Sequence, residues 1–111
     1  MKKNLQKIMS VGQCNPDHKS LQYFLTNNFL CEIIRIDSTD EALIELQKNP
    51  YDLVLVNRKL DIDYSPGIVL VKKMQENIST SKIPVMLISN YPEAQQEAVD
   101  NGAVSGFGKL E

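Results

Sequence analysis

Two hydrophobic periods alternate along the chain. Short apolar runs of strand length are separated by segments whose apolar residues recur at helical spacing. "KIMSV" (7–11) reads as a first strand. Asn15 then offers an N-cap and Pro16 a helix-compatible first position, and Leu21, Phe24 and Leu25 supply a buried helical stripe. "CEIIRI" (31–36) reads as a second strand with Ile34 and Ile36 on one face. Ser38 to Glu41 has the Ser-x-x-Glu form of a capping box, and Ala42, Leu43 and Leu46 form the stripe of a second helix, which Asn49-Pro50 stops.

"DLVLV" (52–56) is apolar without interruption, as expected of a strand covered on both faces. Ser65-Pro66 opens a third helix that runs through Met74. "IPVMLIS" (83–89) is a fourth strand, again apolar on both faces. Pro92 to Asn101 makes a fourth helix closed by Asn101-Gly102, and "AVSGF" (103–107) a last strand weakened by glycine. Alternation of this kind predicts a parallel sheet with helices on both faces. Ligands of such sheets gather beyond the carboxyl ends of the strands. Gly12, Gln13, Cys14, Asn57, Arg58, Ser89, Asn90 and Lys109 are the residues so placed.

Composition narrows the options. The 111 residues suit one domain, with 42% apolar and 23% charged side chains, a soluble globular balance. A net charge of −2, with no basic stripe, argues against nucleic-acid binding. No apolar run is long enough to span a membrane, and the start lacks a signal-peptide core. Cys14 and Cys31 have no metal-type spacing, so free thiols in the reducing cytoplasm are expected. No Gly-rich phosphate loop, zinc spacing or nucleophilic triad is present, which leaves an enzyme reading without residues and implies no cofactor. Leu110-Glu111 is read as a possible vector scar.

"STDEALIEL", "YDLVLVN", "IPVMLIS" and "GAVSGFGK", in this order, resemble the receiver (CheY-like) domains of two-component response regulators. The resemblance covers nearly the whole chain. It implies a flavodoxin-like α/β fold, a doubly wound five-stranded parallel sheet of order 2-1-3-4-5. In that family an acidic pair after the first strand holds Mg²⁺ and an aspartate after the third accepts a phosphoryl group. A Thr or Ser after the fourth strand and a Lys after the fifth then stabilise it. Residue by residue, the acidic pair falls on Gly12 and Gln13, the acceptor on Asn57, the hydroxyl on Ser89 and the lysine on Lys109.

Three of those five positions lack the required chemistry. An amide has no anionic oxygen with which to attack phosphorus. Mg²⁺ seeks carboxylates, and phosphoryl transfer depends on metal neutralisation of spreading charge. Restoring one carboxylate is therefore not expected to restore the site. The resemblance thus implies a degenerate pseudo-receiver with no metal site. It would be a phosphorylation-independent interaction module of bacterial signal transduction that binds a protein partner, most plausibly through helix four, strand five and adjacent loops. Two alternatives stay open: a small ligand or cation held by Asp61, Asp63, Ser89 and Lys109, and phosphorylation of a substitute residue.

Other residues receive structural readings. Asn57 is expected to lock one conformation, with Ser89 and Lys109 as partners of its amide oxygen. Phe107 is read as core rather than switch. Asp52, about 16 Å from Asn57 at the usual strand rise, is read as structural. His18 and the pair Lys72-Lys73 are placed on the surface. The loop "RKLDIDYSP" is longer than the family's usual connection, and the family's fifth helix has no counterpart. Strands four and five are therefore expected to lose cover and leave an apolar patch for a homodimer, for a partner helix, or for a fifth helix truncated from this sequence.

Overall fold

The computed structural model describes residues 5–108. Five strands, β1 (Gln6–Val11), β2 (Cys31–Ile36), β3 (Leu53–Asn57), β4 (Val85–Ile88) and β5 (Val104–Phe107), alternate with four helices. The helices are α1 (Asn15–Asn28), α2 (Thr39–Lys48), α3 (Ile68–Glu76) and α4 (Pro92–Asp100). All pairings are parallel and the sheet order is β2-β1-β3-β4-β5, as the sequence implies.

That order dictates the layers. The chain steps one way from β1 to β2 and the other way from β2 through β5, so right-handed crossovers put α1 on one face and the other helices on the opposite face. The core divides accordingly. Met9, Val11, Val54, Val56, Val85 and Leu87 point toward α2–α4, where they meet Ala42, Leu46, Leu70 and Met74. Ile8, Leu55 and Ile88 point the other way, onto Leu21 and Leu25 of α1.

The local rules hold with several shifts. Ser38 caps α2 by accepting from the Glu41 N–H at 3.1 Å. At α1 the cap position is Cys14 rather than Asn15, with no side-chain cap bond, because Pro16 already fixes the first turn. Phe24 of the expected stripe is 41% exposed. The third helix starts at Ile68, not at Ser65-Pro66, since the chain there is still folded as a turn: Ser65 bonds Asp63 and Pro66 bridges Lys59. Asn57 is the last residue of β3 rather than the first beyond it, and the chain's fourth and fifth strands are shorter than their apolar runs.

A bulge separates the ends of β4 and β5, where Met86 pairs with Val104 but Ile88 with Phe107. Gln95 of α4 satisfies it. Its amide nitrogen donates to the carbonyls of Leu87 (2.9 Å) and Ser89 (3.1 Å), and its oxygen accepts from Gly106 N–H (3.1 Å). On the α1 face, Leu53, Met86 and Phe107 are half-buried and Val104 is exposed. Among the described residues, no second helix lies beside α1 over this side of the sheet. Phe107, half-buried, packs there on the α1 cluster.

Asp52 is structural, accepting from the Lys7 N–H at 2.8 Å across the lower end of the sheet. Lys72 and Lys73 are exposed, as expected. His18 is a correction: it is half-buried, its Nδ1 has no hydrogen-bond partner among the described residues, and burial, then the charge of Arg35, lowers its pKa below 6.5. The sign follows. The unfolded state takes up the proton first as pH falls through the usual value near 6.5, so stability present above that pH is lost below it. A His18→Gln variant is expected to flatten this limb of a pH series of thermal melts; an unchanged slope would refute the assignment.

Candidate functional site

Strand order reverses between β1 and β3, so the crevice beyond their carboxyl ends is where this architecture places a site. Asn57, Arg58, Ser89, Asn90 and Cys14 converge there around a basin of about 490 Å³, together with Lys59, Asp61, Tyr64 and Tyr91 from the adjoining loops. Among the described residues, the expected strand-end residues are thus brought together, except Gln13 and Gly12. Gln13 turns away to a small cavity of about 20 Å³ between α1 and the ends of β4 and β5. Lys109, and with it any Lys109–Asn57 contact, lies outside the described residues.

Gly12 does not face the basin either, because Leu60 covers it. The long β3–α3 loop folds back over the end of β1, where Asp61 N–H donates to the Gly12 carbonyl at 2.9 Å. Leu60 is fully buried. A Cβ at position 12 would stand 2.6 Å from Leu60 Cγ and 2.9 Å from its Cα. Gly12 also sits at φ +77°, in the left-handed region that favours glycine. The position that would carry the first acid of a metal pair is therefore closed twice over, by backbone conformation and by an apolar side chain.

The same loop explains Asn57. Its Nδ2 donates to the Lys59 carbonyl at 2.7 Å, a bond a carboxylate cannot make. Gly67 allows the loop's return, since any side chain there would collide with the Asn57 carbonyl oxygen. Backbone bonds from Leu60 N–H to Ser65 O (2.9 Å) and from Gly67 N–H to Arg58 O (2.7 Å) complete the turn. Tyr64 is held at φ 60°, its N–H donating to Leu60 O at 2.7 Å. Asn57 therefore anchors the loop and does more than copy the shape of an acid.

Replacing it tests this. In Asn57→Asp one carboxylate oxygen would face the Lys59 carbonyl, so the folded state favours the protonated acid and its pKa rises above the usual value near 3.9. A raised carboxyl pKa leaves stability intact at low pH and removes it as pH climbs. We expect Asn57→Asp to lose about 1–3 kcal/mol at neutral pH, recovering toward pH 4, in urea melts. A loss independent of pH would contradict the donor role.

Ser89 does not bond Asn57; its Oγ accepts from Tyr91 N–H at 3.1 Å. Tyr91 in turn carries the Arg58 guanidinium over its ring, 4.6 Å from the centroid. Arg35, which sequence reasoning passed over, donates to the Gln13 carbonyl at 3.1 Å and pairs with Asp37 at 3.8 Å. Gln13 is itself buried and its Nε2 has no partner among the described residues.

The cation alternative finds little support. Asp63 is committed to the Ser65 hydroxyl and N–H, which lower its pKa, and among the described residues Asp61 is the one carboxylate lining the basin. No group of three or more potential ligands for a metal occurs among the described residues. Of the cysteines, Cys14 lines the basin, while Cys31 donates to Leu25 O at 3.6 Å and burial raises its thiol pKa. No helix among the described residues is long and apolar enough to cross a membrane.

Solved structures of similar shape place the fold. The chain resembles a putative response regulator from Chloroflexus aurantiacus J-10-fl, with TM-score 0.86 and 20% identity over 96% of this chain and 86% of that one. It resembles chemotaxis protein CheY4 of Vibrio cholerae, with TM-score 0.74 and 17% identity over 97% and 88%. It also matches 24% of NtrX from Brucella abortus, at 20% identity over 97% of this chain and TM-score 0.81. No family model and no curated protein matches the sequence. The chain has the response-regulator receiver (CheY-like) fold.

Proposed function

We propose that this chain is a receiver-type module of two-component signalling whose acceptor site is closed, and that it works by binding a protein partner without being phosphorylated. The seating of Leu60 on Gly12 carries the reading. It leaves no room for a carboxylate at the first acid position. The neutral Asn57 and Gln13 supply neither a nucleophile nor an anionic metal ligand. The module has no catalytic residues, and a cytoplasmic setting suits its free thiols.

Thermal melts with Mg²⁺, alone and with beryllium fluoride as a phosphoryl mimic, test this. The midpoint is expected not to move. A saturable rise would mean that the site still assembles.

The basin supports a second reading. It remains open, with Arg58 and Lys59 on its wall, and suits a small ligand held without covalent chemistry. Among the described residues α1 alone covers its side of the sheet, and Val104, exposed beside half-buried Met86 and Phe107, supports a further contact surface, either a homodimer or a partner helix. Sedimentation as a monomer at all concentrations, with no apolar-dye binding, would count against that surface.

A further inference from the structure

A groove of about 690 Å³ runs between α3 and α4, separate from the strand-end chemistry but joined to it. Its floor is apolar: Leu87 of β4 is buried at the base, flanked by half-buried Ile68 and Ala94. Charge is segregated along its walls. Glu93 and Glu97, one helical turn apart on α4 and both exposed, line one side. Arg58 and Lys59 line the end next to the basin, and the basin shares Arg58, Lys59 and Tyr91 with the groove.

The Arg58 guanidinium stands over the Tyr91 ring, 4.6 Å from its centroid, which leaves its N–H groups for a carboxylate. This arrangement selects among occupants. Nucleic acid is opposed by the two glutamates, and a purely apolar segment would leave all four charges unmatched at the rim. An elongated segment with an acid at one end, an apolar side chain in the middle and a base at the other matches floor and walls together.

We propose that the α3–α4 groove docks a short linear segment of a partner protein. The segment would set an acidic side chain against Arg58 and Lys59, an apolar side chain on Ile68, Leu87 and Ala94, and a basic side chain against Glu93 and Glu97. The inference deepens the interaction-module reading and rests on it. The chemistry is that of peptide recognition by pockets and charge pairs, with Tyr91 and Arg58 as the rigid aromatic and guanidinium anchors such sites favour.

The test is selection of a randomised 12-residue peptide library displayed on phage against the full chain, with labelled hits measured by fluorescence anisotropy. Enriched peptides are expected to carry acidic, apolar and basic positions in that order along the groove. Glu93→Lys with Glu97→Lys should weaken them at least tenfold, whereas Tyr23→Ser on the opposite face should change affinity less than twofold. Both glutamates and Tyr23 are exposed, so these variants keep the fold.

Any of four results would overturn the proposal: no enrichment, enrichment without the charge order, affinity indifferent to the double lysine variant, or self-association lost in that variant, which would make a second copy the occupant. The readout is independent of phosphate chemistry. A Mg²⁺-dependent stability shift would defeat the closed-site reading whatever peptides bind, and a flat selection would defeat only the groove.

Discussion

Replacing Gly12 with aspartate is expected to destabilise the fold by about 2–5 kcal/mol without creating Mg²⁺ affinity. Two effects add. A β-carbon at φ +77° brings strain of about 1–2 kcal/mol, because an L side chain crowds its own carbonyl in that conformation. The overpacking against Leu60 costs about 1–3 kcal/mol more, since Leu60 Cγ and Cα both lie within 3 Å of the new atom. The carboxylate would also be thrust against an apolar side chain rather than water. Urea unfolding of Gly12→Ala and Gly12→Asp separates the parts: alanine reports strain and crowding, and the difference reports the charge. A variant as stable as the natural chain would show that the loop is not seated as described.

Leu60→Ala is the second large effect. The side chain is fully buried in the core on the α2–α4 face, although its neighbours in the loop are polar. Truncating such a leucine costs about 2–5 kcal/mol, depending on how far the site collapses. Here the loss should be accompanied by loosening of residues 58–67, because Leu60 is the apolar anchor of a loop otherwise held by hydrogen bonds. Faster amide exchange in this segment, with exchange in β1 and β3 little changed beyond the global shift, is the expected signature. Combined with Gly12→Ala, it should give partial rescue, since the clash with Leu60 Cγ goes while that with its Cα stays. Strict additivity would contradict direct contact between the two residues.

The architecture was legible in the sequence because its signals are local. β2 and the capped start of α2 fall where the pattern places them, and the sheet order follows from the receiver resemblance. Boundaries moved where a tertiary contact outweighs propensity: Ser65-Pro66 resembles a helix entry, yet Asp63 and Lys59 hold it in a turn. The site was legible in part. Asn57, Arg58 and Ser89 do converge, but the partner of Asn57 is a backbone carbonyl, to which sequence gives no clue.

Leu60 was missed although a signal existed. It is an apolar residue within the polar stretch "RKLDIDYSP", and a buried residue in a loop needs a place to go. Gly12 was read as a lost acid; its φ and the closeness of Leu60, which sequence does not reveal, add that a side chain there would be strained and crowded. His18, set on the surface by its position in the first helical turn, is half-buried because α1 lies against β2 and Arg35 there. Tyr91 and Arg58 meet across two loops, a contact no spacing rule reaches.

The most direct test of the closed site is the intact mass of the natural chain after incubation with acetyl phosphate and Mg²⁺, with Asn57→Asp alongside. The proposed closed site predicts no phosphate adduct on either: position 57 of the natural chain carries a neutral amide, and the variant regains a carboxylate there without an acidic pair after β1. An adduct on the natural chain would contradict the claim at its root and point to a substitute acceptor. An adduct on Asn57→Asp alone would show that the loop opens, and that Leu60 does not close the site.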